Sequence, residues 1–316
     1  MRHIHYLSII FLCSCMPKEA GPSFKFKSIE QGVELLEDNQ PVFFYQKSPK
    51  SPDGEYVYNN YLHPLYDLKG ETLTEEFPID HPYHRGVFWA WHQIFINGKN
   101  VGDGWIMKNI TTEVISVKTE VKRKNAQLKL NVFWKSPSFN NNSTFLEENT
   151  TIIVHKIHNG IREIDINIGL KALVPGVEIG GADDEKGYGG LCVRLKTPMD
   201  LKFTSAIGPL LPKTEQIEAG SWMDFTGSFS GNGKKSGISI HTHPKTPNYP
   251  APWILRSESS MQNIVFPGRH KIPLPIDKAL NLHYRLIVHP GNDNKINFPK
   301  LQLEYELYKV PHQKKI

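Results

Sequence analysis

Long apolar runs are missing from this chain beyond its first fifteen residues. The longest, residues 87–96, is broken by His92 and Gln93 and stops short of the eighteen or so that cross a bilayer. A polytopic membrane protein is excluded. Charge of one sign is scarce as well: 37 basic and 32 acidic side chains leave only +5, scattered along the chain, so no nucleic-acid partner is expected. There is no P-loop, no Rossmann glycine fingerprint, no HExxH and no G-x-S-x-G, which disfavours nucleotide chemistry and the common serine hydrolase arrangement. Cysteine is limited to three residues. At 39% hydrophobic and 22% charged residues, the composition is that of a folded globular chain.

Residues 1–15 read as a secretory signal, with Arg2 in a short cationic region and an apolar core from Tyr6 to Leu12. The core ends in Leu12-Cys13-Ser14-Cys15, which resembles a bacterial lipobox. Cys15 is therefore expected to be lipidated as the first mature residue, with residues 16–22 as a tether; ordinary secretion with cleavage nearby is the alternative. Cys13 leaves with the signal and only Cys192 remains in the body, so no internal disulfide can form. The protein is expected to be exported and lipid-anchored, in the periplasm or at the outer-membrane surface, meeting the membrane only through its lipid.

The body, residues 23–308, reads as one all-β domain, a large antiparallel β-sandwich, followed by a basic tail at 309–316. Residues 112–122 and 126–135 are β-rich and separated by a polar turn. Residues 148–157 and 161–173 repeat the pattern around His158-Asn159-Gly160, a strong hairpin signal. Leu282, Tyr284, Leu286 and Val288 share one face of a strand at 281–290, and His283, Arg285, Ile287 and His289 the other. Residues 29–38 fit a short helix or a further strand. No long stretch has a capped helical period.

Fourteen histidines concentrate the chemistry. Asp80-His81-Pro82-Tyr83-His84-Arg85-Gly86 leads into a strand on which Trp89 and Trp91 share one face and Phe88, Ala90 and His92 the other. Its histidines, arginine and aspartate can supply acid, base and anion stabilisation, or can form a hydrogen-bonded corner of the sandwich. In Gly187-Tyr188-Gly189-Gly190-Leu191-Cys192-Val193-Arg194, period two places Cys192 and Arg194 on one face; Cys192 reads as a small buried side chain rather than a nucleophile. His241 and His243 lie at a strand end ahead of Asn248 and Pro252-Trp253, where a metal pair, an aromatic sugar platform or a packed loop all fit. His283-Tyr284-Arg285 with His289 points either into a cleft or into solvent.

Taken in order, these segments, with Asn97-Gly98 and Gly104-Trp105, resemble the PmoA-type family of unknown function across about residues 59–306. The label methane oxygenase that this family often carries does not fit a chain without membrane spans. The resemblance implies an exported protein associated with glycan degradation and a sandwich similar to the galactose-mutarotase supersandwich. It makes a carbohydrate-active enzyme the leading expectation, with lyase, hydrolase or epimerase chemistry on a glycoside or a keto- or acidic sugar. His81, His84 and His243 are the acid–base candidates, with His289 on the same expected cleft. Arg85 and Arg285 stabilise developing charge, and Arg194, Trp253, Trp91, Tyr188 and Asn248 bind substrate. No cofactor is required; a divalent metal held by His81, His84 and a histidine of segment 239–244 is a third reading. The alternative from another class is a lipid-anchored glycan-binding protein without catalysis.

Overall fold

The computed structural model describes residues 23–230, 233–259, 261–291 and 296–311. The expected signal, the Cys15 lipidation site, the tether and most of the basic tail lie outside the described residues. Among those described, no helix is long and apolar enough to cross a membrane.

The hairpin signals close as the residues require. Asn159 and Gly160 take φ of 51° and 75°, the left-handed pair that matches strand twist. Strand β10 (Thr144–His155) thus returns as β11 (Arg162–Ala172), with Ile152 opposite Ile166 and Val154 opposite Ile164. Numbering strands in chain order, the nine-stranded sheet runs β15 (Gly208–Leu210), β14 (Lys202–Ser205), β16 (Trp222–Gly227), β17 (Ser236–Thr242), β21 (Leu280–Pro290), β11, β10, β9 (Asn125–Lys135) and β8 (Thr111–Val121). The eight-stranded sheet runs β1 (Phe24–Ser28), β2 (Gly32–Glu37), β3 (Gln40–Gln46), β4 (Tyr61–Leu65), β5 (Val87–Trp91), β13 (Gly189–Val193), β19 (Gln262–Ile264) and β18 (Trp253–Ile254). A third sheet holds β20 (Ile272–Pro273), β12 (Val177–Gly180), β6 (Gln93–Ile96) and β7 (Lys99–Gly102). The pairings between these strands are antiparallel.

The inner faces share one apolar core. Leu35, Phe43, Leu62, Trp89 and Leu191 of the eight-stranded sheet meet Leu128, Ile152, Ile166, Tyr284 and Leu286 of the nine-stranded one. One carboxyl sits within it: Glu148 accepts from Asn60 Nδ2, the indole N–H groups of Trp89 and Trp134, and the Thr150 hydroxyl. Burial pushes its pKa up, but every hydrogen-bond partner is a donor, which suits the ionised form and spares the core an unsatisfied group.

Two further features place the functional groups. Loops cover the outer face of the eight-stranded sheet around Tyr58, Phe88, Trp105, Cys192 and Met261. On the outer face of the nine-stranded sheet lies helix α1 (Phe298–Glu306), which the sequence pattern does not announce; the Asn297 side chain caps it by accepting from Lys300 N.

Candidate active site

The segment before β5 is wound tightly and tied down. His84 N donates to His81 O at 2.9 Å and Phe77 N to His84 O at 2.9 Å. Gly86 turns the chain into the strand at φ 48°, and a Cβ there would stand 2.0 Å from Leu62 O, so no other residue fits without shifting backbone. Arg194 N donates to Gly86 O at 2.7 Å, binding the segment to the end of β13.

Arg194 also organises the charges. Its Nη1 and Nη2 grip the two Asp80 oxygens at 3.0 Å each, and its Nε reaches Glu75 at 2.8 Å. Asp80 in turn holds His81 Nδ1 at 2.8 Å. Partial burial pushes the Asp80 carboxyl up, but the donors on His81 and Arg194 outweigh it and bring it down to about 2. His84 stacks on His81 with centroids 4.7 Å apart, and its Nδ1 faces Arg194 Nη1 at 3.3 Å. Burial, then the cations around it, drive His84 down to about 2. Its Nδ1 accepts from arginine, so the ring is neutral with its proton on Nε2. His84 is a fixed donor rather than the acid–base group expected from the sequence.

A second carboxylate–histidine pair faces the same space. The Asn97-Gly98 turn, with φ of 50° and 76°, folds β7 back on β6 and brings Asp103 alongside His92. Asp103 Oδ2 lies 2.8 Å from His92 Nδ1, while its Oδ1 accepts from Trp105 N and Ile106 N at 2.8 and 3.2 Å. The His92 ring stacks on Trp105 at 4.8 Å. In both pairs the Nδ1–H donates to the aspartate, and among the described residues no hydrogen bond is made to either Nε2. Each histidine therefore presents a lone pair held in a set direction.

These groups line a cleft of about 820 Å³, the size of a small-ligand site. His81, His84, His92, Tyr83, Trp105 and Tyr188 form one side; Lys186, Lys213, Arg256 and Glu258 contribute to the rest. Arg85 lies beneath, sandwiched between Tyr58 at 3.9 Å and Phe88 at 4.4 Å, with Nη1 on the carbonyls of Tyr83 and Trp105. Only 4% exposed, it cannot touch a substrate, contrary to expectation. Arg194 is likewise buried and acts through Asp80 and His84 rather than by binding substrate.

The single cleft expected to unite His81 and His84 with His243, Arg285 and His289 does not form. Arg285 and His289 lie on β21 of the nine-stranded sheet and His243 just past the end of β17, all beneath α1, and no member of that group lines the cleft. There, the Arg285 guanidinium and both ring nitrogens of His241 and His243 are bonded to protein. Arg285 grips Asp165 through Nε and Nη2 at 2.6 and 3.1 Å and Glu163 through Nη1 at 3.1 Å. Asp165 also takes His155 Nε2 at 2.8 Å. His289 meets Asp224 and Pro290 O; His243 meets Tyr308 O and Lys245 N; His241 is held by Ser239 and by Gln302 of α1. Tyr305 of α1 covers His243 and the Arg285 guanidinium. This is a polar layer that joins helix to sheet. It also separates His241 and His243 from His81 and His84, so the expected metal triad does not assemble. Among the described residues no group of three or more histidine, cysteine or acidic side chains is placed to hold a metal.

Three other expected substrate contacts move to structural roles. Trp253 is fully buried, its indole N–H on Gly220 O at 2.9 Å, so it offers no platform. Trp91 packs in the core with its N–H on Phe266 O at 3.0 Å. Asn248 turns a loop at φ 66° away from the cleft lining. Tyr188 does line it, and Cys192 is buried, its thiol pushed up by desolvation.

Comparison with known proteins adds the following. No curated protein matches the chain. Among solved structures it is similar to a GH36 α-galactosidase, AgaB, from Geobacillus stearothermophilus, at 11% identity and TM-score 0.42, over 85% of this chain and 41% of that one. It spans about two-fifths of the α-galactosidase's length. It is also similar to a putative mutarotase, YeaD, from Salmonella typhimurium, at 8% identity and TM-score 0.34, over 85% and 94% of the two chains. Likeness this distant does not bear on what the chain does. The family profile that matches covers residues 32–300, and the chain belongs to that family, DUF6807, whose function is unknown.

Proposed function

We propose that this protein is a carbohydrate-active enzyme that works by histidine proton transfer in the cleft above the eight-stranded sheet. One observation carries the reading: two histidines, each with Nδ1 held by an aspartate at 2.8 Å, line the same cleft with Nε2 free of protein partners among the described residues. His92 Nε2 takes a carbon-bound proton next to a carbonyl, and the electron pair moves into that carbonyl system. The proton now on His92 Nε2 returns to carbon or passes to a departing oxygen, while His81 Nε2 accepts a hydrogen bond from a substrate hydroxyl. Epimerase and lyase chemistry share this step. Hydrolysis by two carboxylates is less well supported: Asp80 is clamped by Arg194 and held at about 2, unsuited to the acid role, which needs a raised pKa. Aromatic edges at Tyr83, Trp105 and Tyr188 beside polar groups suit a sugar. The PmoA-type resemblance contributes the glycan-degrading setting, and export with a lipid on Cys15 completes the proposal.

The test is incubation in D2O with a panel of glycosides and keto-sugar derivatives, reading product formation and deuterium at carbon. The wild type should exchange or convert one class, and His92→Gln should lower the rate about 10²- to 10⁴-fold. Binding by calorimetry with no exchange and no product would establish the non-catalytic glycan-binding reading instead. Separately, Cys15→Ala should leave the protein off the membrane or unprocessed; normal processing and membrane retention would refute the lipid anchor.

A further inference from the structure

The cleft that holds the histidines is also lined by Lys186, Lys213 and Arg256, none of which has a carboxylate partner among the described residues. Arg256 spends three donors on main-chain oxygens: Nη1 on Lys213 O at 2.7 Å and Leu255 O at 2.8 Å, and Nη2 on Thr214 O at 3.0 Å. Gln262 fixes the same segment, accepting from Arg256 N and donating to Arg256 O. The guanidinium is thus held rigidly without a charged partner, beside the Tyr188 ring at 5.7 Å. The guanidinium also hydrogen-bonds the Tyr188 side chain and draws its pKa down against the burial that raises it; its charge and its remaining donor are left for an anionic oxygen. Lys186 and Lys213 line the cleft alongside Arg256, and among the described residues none of the three has a carboxylate partner. Glu258 is the acidic side chain that lines the cleft directly, and it is exposed; Asp80 and Asp103 are committed to Arg194 and the histidines.

We propose that Arg256, with Lys186 and Lys213, forms a subsite for the carboxylate of an acidic sugar, making a uronic-acid-containing glycan the substrate class. The subsite deepens the proton-transfer reading of the same cleft. Neutralising a carboxylate lowers the cost of removing the proton on the adjacent carbon, the kind of proton assigned above to His92.

Uronic-acid disaccharides, each paired with its carboxyl-reduced neutral counterpart, test this by calorimetry on the full mature chain. At least one acidic member should bind about tenfold tighter than its neutral partner, and the difference should shrink as NaCl rises from low to high concentration. Arg256→Gln should remove most of the preference while neutral binding stays within about twofold. Arg256 also holds a loop, so Lys186→Ala/Lys213→Ala, where the loop bonds are made by main-chain atoms that the substitutions keep, gives an independent reading and should weaken acidic binding alone. Equal binding of acidic and neutral partners across the panel, an unchanged preference in both variants, or tighter binding of a sulfated neutral disaccharide would overturn the carboxylate subsite. The two proposals fail separately. Acidic preference without exchange in D2O removes the proton-transfer reading, whereas exchange without preference removes the subsite.

Discussion

Two regions of this molecule hold the same kinds of residue and use them differently. Beneath α1, His155, His241, His243, His283 and His289 stand with Arg285, Asp165 and Asp224. At the cleft, His81, His84 and His92 stand with Arg194, Asp80 and Asp103. Under the helix, Arg285 has its carboxylates and His241 and His243 have both ring nitrogens engaged. At the cleft, aspartates fix one nitrogen of His81 and of His92 and leave the other toward open space. Residue type does not separate the cleft from the polar joint; what covers the residues does, α1 over one group and open space beside the other.

The largest difference should appear in stability. Asp165→Ala leaves the buried Arg285 with Glu163 alone and His155 without its carboxylate, a loss of about 3 kcal/mol, whereas Asp103→Asn, at a partly exposed pair, should cost under about 1 kcal/mol. Urea unfolding of both variants measures the contrast, and equal losses would erase the distinction between the regions. Trp253→Ala belongs with the first group: it opens a cavity in the core and should cost about 3–5 kcal/mol without a selective change in ligand affinity.

Acid stability is the next largest effect. Burial holds His84 at about 2, His241 at about 3 and His283 at about 4, whereas in the unfolded chain each takes a proton near 6.5. Between those values the unfolded chain binds more protons, so stability is fully present above about pH 6.5 and falls as pH drops below it. Each histidine contributes a slope of about 1.4 kcal/mol per pH unit until its folded value is reached. Urea midpoints at pH 7.5, 6 and 5 should decline, and His241→Gln should flatten the decline. A midpoint unchanged from pH 7.5 to 5 would show that these rings are charged in the fold.

Much of this was legible beforehand. Alternation along β21 identified its two faces, and Asn159-Gly160 located a hairpin, because period and turn chemistry are local. The partner of a polar face is not local. Nothing in His283, Arg285 and His289 tells whether ligand, solvent or protein covers them, and the cover here is a helix whose Phe298, Gln302 and Tyr305 lie outside any strong periodic pattern. The burial of Trp253 and Trp91 is not local either, since it depends on what packs above them. Asp103 was within reach: Asn97-Gly98 marks a hairpin, and folding it back places position 103 beside position 92.

A smaller effect sharpens the comparison inside the cleft. His84 is neutral and donates only through Nε2, so His84→Asn should slow turnover by less than about tenfold, a lost hydrogen bond rather than a lost base. Loss on the scale expected for His92→Gln would make His84 the working base.

The most direct measurement is activity per folded molecule in Asp103→Asn, on the sugar derivative whose carbon-bound proton the wild type exchanges. Asparagine keeps the shape but removes the charge that orients His92. The rate should fall about 100-fold or more, with the unfolding midpoint nearly unchanged. A wild-type rate per folded molecule would contradict the assignment of this cleft as the working site.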